Sequence, residues 1–138
     1  MREDELYKRY VQPRLSDWGD CCRVENTVDS GMPDVNYAIE NTHGWLELKV
    51  THGGLYHFER FQLPWLKRRA RHSRDVWVLA LHDREAVVRL HSVSQLFEVE
   101  LGTKKKWTTM VAADVPYELE LSLKGDWQQL RHIITHAT

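Results

Sequence analysis

Residues 34–50 constrain this chain more than any other stretch, because they alternate apolar with polar on both sides of one group of turn formers. Extended, the second run puts Trp45, Glu47 and Lys49 on one side and Leu46, Leu48 and Val50 on the other. The first run alternates Val35, Tyr37 and Ile39 with Asp34, Asn36 and Ala38. Between them lies Glu40-Asn41-Thr42-His43-Gly44, so the two runs read as an antiparallel hairpin. A slip of one residue would turn one strand's side chains over. Only registers that put Val35, Tyr37 and Ile39 beside Leu46, Leu48 and Val50 bury the apolar residues together. Burial therefore places Asp34, Glu47 and Lys49 on the other face. One register of this class sets Asp34 opposite Lys49 and Asn36 opposite Glu47.

Two carboxylates on adjacent strands repel unless a hard cation neutralises them. Mg²⁺ prefers oxygen ligands and keeps several waters, and the backbone carbonyl of Leu48 offers a further oxygen. An ammonium beside such a cation, here Lys49, suits a phosphodiester: it can position a water or offset charge building on phosphorus. The competing reading is a surface hairpin with an exposed Asp34–Lys49 pair worth less than ~1 kcal/mol. The Gly31-Met32-Pro33-Asp34 lead-in and the clean alternation favour the site.

At 138 residues the chain is expected to form one domain. Its net charge of −1 gives no global attraction for nucleic acid, so any such binding rests on local clusters. Two clusters stand out: Lys67, Arg68, Arg69, Arg71 and Arg74, and the run Lys104-Lys105-Lys106 before Trp107. Facing phosphates, they would bind DNA without reading its sequence. Equally, the first suits a helix C-terminus and the second a solvated face. Trp107 and Trp127 suit either stacking on an unpaired base or ordinary packing. The two cysteines, Cys21 and Cys22, are adjacent, so no disulfide framework is expected and a reducing cytosol fits. A charged N-terminus and no apolar span near ~20 residues point to a soluble cytoplasmic protein without a membrane segment. The histidines lack zinc-finger spacing, and His52 and His57 are expected at the rim of the cleft. No Walker-type loop is present, so no nucleotide cofactor is expected.

In chain order, residues 3–19 read as an amphipathic helix that Pro13 kinks or ends. A strand over residues 21–26, the hairpin, and a flexible stretch over 51–54 follow. A second helix is expected over 58–72, with Pro64 as an irregularity. Residues 75–81 form a continuous apolar run, a buried strand, and 86–90 pair with it. Ser92 caps a short helix ending at Phe97. Residues 117–123 and a helix near 126–136 complete the chain. The order is α-β-β-β-α-β: an α/β core whose mixed sheet is flanked by helices. The core spans about residues 3–91, and the accessory residues 92–138 offer a dimerisation surface.

This order, with Pro33-Asp34 and Glu47-Leu48-Lys49 on the second and third strands, resembles the PD-(D/E)xK nuclease superfamily. Residues 23–26, 31–34 and 44–49 are similar to small phage and prophage nucleases near its VRR-NUC and Holliday-junction-resolvase branches. The resemblance implies a restriction-endonuclease-like core and Mg²⁺- or Mn²⁺-dependent hydrolysis of DNA. It further implies branched or junction substrates and a homodimer, in the host cytoplasm if the chain is phage-encoded. It maps Asp34 and Glu47 to metal ligands, Lys49 to the catalytic lysine and Gln62 to an accessory catalytic role. It also calls for a further carboxylate. Glu3 is spaced to share the inward helix face with Leu6, Tyr7 and Tyr10, Glu25 lies on the strand beside the hairpin, and a Glu in a first helical turn also simply complements the dipole. Two rivals carry the same fold: a non-catalytic nucleic-acid-binding or assembly module, and a sequence-specific restriction-type endonuclease.

Overall fold

A computed structural model of the chain describes residues 1–24 and 31–136. Helical residues open it: α1 (Glu3–Leu6), a π-helical turn (Tyr7–Val11) and α2 (Gln12–Trp18). The path stays helical through Pro13 because the turn before it is widened. The Gln12 N–H donates to the Tyr7 carbonyl, five residues back, which relieves the clash of a proline ring with a normal helical turn. Leu6, Tyr7, Val11, Leu15 and Trp18 are buried along this segment.

Strands β1 (Asp20–Arg23), β2 (Val35–Ile39) and β3 (Thr42–Val50) follow. The hairpin confirms the expected faces and corrects the expected register. Val35 pairs with Leu46 and Ile39 with Thr42, two residues away from the Asp34–Lys49 pairing. The turn explains the shift: it is two residues long, and Glu40 and Asn41 both take positive φ (52° and 65°), the conformation of a tight hairpin. Because the shift is even, every side chain keeps its face.

Residues 51–54, expected to be flexible, form a second tight turn. Gly53 and Gly54 have φ of 60° and 74°, and His52 and Leu55 exchange backbone hydrogen bonds of 3.0 and 3.1 Å. That turn launches β4 (Leu55–Glu59), a strand where the helix of residues 58–72 was expected to begin. Tyr56 and Phe58 are buried with a period of two, not 3.6. The helix itself, α3, is shorter (Gln62–Ala70). Pro64 sits in its first turn, where a missing N–H costs nothing.

The remaining elements are β5 (Val76–His82), β6 (Val87–Ser92), α4 (Val93–Leu96), β7 (Gly102–Lys104), β8 (Trp107–Val111), a 3₁₀ turn (Ala112–Asp114), β9 (Leu119–Ser122) and α5 (Gln128–His136). A six-stranded sheet has the order β1-β2-β3-β5-β6-β9, and a three-stranded sheet the order β4-β8-β7. In the larger sheet β3 and β5 are parallel and the other neighbours antiparallel. All of β5 is buried because both of its faces are covered. Trp77, Leu79 and Leu81 join one core with Leu46, Leu48, the N-terminal helical residues and α5, whereas Val76, Val78 and Ala80 join a second core with Tyr56, Phe58, Leu66 and Met110. Residues 92–136 thus supply an edge strand, a covering helix and most of the smaller sheet.

Candidate active site

Glu47 and Lys49 alternate with Leu46 and Leu48 on β3, so they face the second core, where β4 and α3 close over them. Glu47 is 1% exposed and Lys49 5%. Such groups stay buried only if they find partners, and α3 supplies one at its first residue. The Gln62 Nε2 donates to Glu47 Oε2 (2.9 Å), while its Oε1 accepts from Lys49 Nζ (2.9 Å) and from the Glu59 N–H (2.8 Å). These partners fix the amide's orientation, since the flipped amide would set N–H groups against an ammonium and a backbone donor. Lys49 Nζ also lies 3.3 Å from Glu47 Oε2 and 4.6 Å from the centre of the Phe58 ring.

Asp34 lies just before β2, where the strand no longer covers β3. Its Oδ2 accepts the Leu48 N–H (3.2 Å), the place a backbone carbonyl would take in a longer strand. The N–H and C=O of one strand residue project to the same side. The Leu48 carbonyl therefore points toward Asp34. Gly31 fixes the approach of this segment: its φ is +92°, and a Cβ there would collide with the Phe61 carbonyl at the start of α3. The Gly31-to-Asp34 lead-in thus locks Asp34 to the helix that carries Gln62.

The carboxyls are far from their ordinary state. Burial pushes Glu47 up to about 8, with Asp34 and Glu3 adding to the rise and Lys49 opposing it. Burial also raises Asp34, against the Leu48 N–H, Lys49 and Arg23. One oxygen, Glu47 Oε1, is buried without a hydrogen-bond donor, the only carboxylate oxygen so placed among the described residues.

These groups line a cavity of about 470 Å³ together with Glu3, Arg23, His52, His57, Glu59 and Trp107. Glu3, Asp34, Glu47, Leu48, Lys49 and Gln62 are thus brought together, whereas Glu25 lies outside the described residues. The basic end of α3 is not brought in: Gln62 is at the cavity, and Ala70 is a helix length of about 12 Å away. Lys67 and Arg68 are exposed there, and Arg69 pairs with Asp75 (3.0 Å). Lys105 and Lys106 form the turn of the β7–β8 hairpin, next to Trp107. Sequence reasoning missed Arg23 and Glu59. The signal for Arg23 was pairing: it sits opposite Val35 on β1, one residue from Asp34.

The donor set fits a hard divalent cation. Among the described residues no three His, Cys, Asp or Glu side chains form a ready metal cluster, but Mg²⁺ is held by one or two carboxylates plus waters. The orphaned Glu47 Oε1 and the raised Glu47 and Asp34 carboxyls are what such an ion would relieve.

The sequence matches no protein-family model and no curated protein. The structure does match solved ones. It is similar to the Archaeoglobus fulgidus Holliday junction resolvase Hjc (18% identity, 82% of this chain and 93% of that one, TM-score 0.52). It is also similar to D212, a nuclease from a fusselovirus (11%, 96% and 90%, TM-score 0.58). A third likeness is to the bacterial homing endonuclease I-Ssp6803I (10%, 99% and 91%, TM-score 0.50). The chain has the restriction-endonuclease-like fold. At these identities the likeness speaks for the fold; in it Glu47 and Lys49 lie on β3, and Asp34 lies immediately before β2 rather than on it.

Proposed function

We propose that this protein is a divalent-metal-dependent endonuclease that hydrolyses phosphodiester bonds in DNA, with branched or junction DNA as substrate. The observation that carries the reading is the buried Glu47–Lys49–Gln62 cluster beside Asp34, whose one unmatched atom is a carboxylate oxygen. A nuclease fold shared with a junction resolvase supports it.

Asp34, Glu47 and the Leu48 carbonyl would hold Mg²⁺ or Mn²⁺, with Glu3 as the further carboxylate. The ion supplies acidification of a water and neutralisation of charge on the phosphoryl oxygens. Lys49 presents its ammonium to the cavity and offsets negative charge as the attacking oxygen approaches phosphorus. Gln62 holds Lys49 and Glu47 in one geometry by accepting from the first and donating to the second. Arg23 gives the incoming phosphate a cation. Incision of a junction on two strands needs two such sites, so a homodimer is the working form.

The test is a cleavage panel of four-way junction, flap, single strand and plain duplex with Mg²⁺, Mn²⁺ or EDTA. Metal-dependent cleavage, lost in Asp34→Asn and greatest on a branched form, is expected. DNA binding that ignores EDTA, with no cleavage of any form, would instead favour a binding module.

A further inference from the structure

The cavity has two unlike walls. The larger sheet supplies carboxylates and cations for a phosphate. The β3–β4 turn and the smaller sheet supply three rings, His52, His57 and Trp107, together with Glu59. His52 meets His57 edge to face at 6.0 Å, and His57 meets Trp107 edge to face at 6.3 Å and 90°. All three rings line the cavity.

Trp107 differs from the other tryptophans. Trp18, Trp77 and Trp127 belong to one hydrophobic core; Trp45 and Trp65 belong to or pack on the other. Trp107 is among the residues of neither, and it is half-buried on β8, the central strand of its sheet. Glu59 and Lys104 flank it in register on the two neighbouring strands. Lys106 Nζ lies 5.6 Å from the indole centre. The indole is thus held on a paired strand, oriented by His57, and placed at the cavity with cations beside it. Hydrophobic burial does not account for that placement.

A base inside a duplex already has both faces stacked, so these rings can engage only a base that has left the stack. The cavity is within the ~300–1,000 Å³ range of small-ligand pockets, larger than a lone phosphate requires.

We infer that His52, His57 and Trp107 receive an unpaired nucleobase beside the phosphate bound by the carboxylate wall, which directs the site to DNA carrying unpaired nucleotides at branch points. This rests on the nuclease reading and narrows its substrate. Trp107 acts as the stacking platform, His57 holds the indole edge-on, and the lysines of the hairpin tip hold flanking phosphates.

The test measures binding without metal. The full-length protein in EDTA is titrated with a short DNA duplex carrying one unpaired 2-aminopurine, and with the fully paired duplex. The wild type is expected to bind the first roughly tenfold or more tightly, with a change in 2-aminopurine emission on stacking. Trp107→Phe retains the preference within about threefold, and Trp107→Leu, which keeps apolar bulk without a π face, brings the two affinities within about twofold. Thermal unfolding verifies that both variants are folded. An equal preference in wild type and Trp107→Leu, or none in the wild type, would overturn the inference. The two claims fail separately: cleavage without the binding preference removes this inference alone, and the preference without cleavage of any DNA removes the nuclease reading alone.

Discussion

Tyr56, His82 and His91 make one buried polar cluster on the second core, and Glu47, Lys49 and Gln62 make another, but their hydrogen bonds close differently. In the first, the Pro116 carbonyl can only accept, so His91 Nδ1 donates to it (2.6 Å). His91 Nε2 then accepts from the Tyr56 hydroxyl (2.9 Å), whose oxygen accepts from His82 Nε2–H (2.6 Å). Each of these atoms is matched with both imidazoles neutral, and burial keeps both histidines below their ordinary range, His91 at about 4. In the second cluster Glu47 Oε1 has no donor and its carboxyl is pushed up to about 8. A complete network joins the smaller sheet to the larger one. The other leaves one buried carboxylate oxygen without a donor, the atom on which the proposed cation site rests.

The comparison is sharpest where each cluster loses a single atom or charge. Glu47→Gln is expected to cut metal-dependent cleavage by roughly a thousandfold or more, measured on the best substrate of the cleavage panel. A loss below tenfold would move the site elsewhere. Gln62→Leu frees Lys49 and Glu47 from their common partner, and a fall of roughly ten- to a hundredfold is expected, with single-turnover rates as the readout. Tyr56→Phe should do the opposite. It leaves the rate unaltered but strips a donor from His91 and an acceptor from His82, costing about 1–3 kcal/mol. Chemical denaturation checks the stability term, and a variant as stable as the wild type would show that the network is not structural.

The smallest effect is the most diagnostic, because the two clusters respond to pH with opposite signs. Glu47 has a folded pKa of about 8, above its unfolded value, so it binds a proton more readily when folded. The Glu47 contribution to metal-free stability therefore declines as pH rises from roughly 4.5 to 8. His91 has a folded pKa of about 4, below its unfolded value, so its contribution is full above roughly 6.5 and is lost as pH falls toward 4. Denaturation of the EDTA-treated protein across this range should show both limbs. The two windows overlap between roughly 4.5 and 6.5, where the slopes oppose, so Glu47→Gln should flatten the decline above roughly 6.5 and steepen the His91 rise below it.

How much of this was legible in the sequence depends on whether a feature is local. The face shared by Asp34, Glu47 and Lys49 follows from alternation within seventeen residues. The exact pairing did not follow, because it hangs on Glu40, a residue that seldom takes positive φ, forming a two-residue turn with Asn41. Gly53-Gly54 is a hairpin signal flanked by the alternating Tyr56 and Phe58, yet Phe58, Phe61 and Trp65 also fit a helical period, and that reading hid β4. The smaller sheet was least legible, since β4 pairs with β8 some fifty residues away. With it went the burial of Glu47 and the place of Trp107 at the cavity. Gln62 came from family resemblance; its three hydrogen bonds supply the physical reason.

Calorimetric titration of Mn²⁺ into the protein at pH 7, in buffers of different ionisation heat, addresses the claim that Asp34 and Glu47 form a cation site. The expected result is one site whose filling releases close to one proton, the proton that Glu47 carries at that pH, and which disappears in both Asp34→Asn and Glu47→Gln. Unchanged affinity and stoichiometry in the two variants would contradict it.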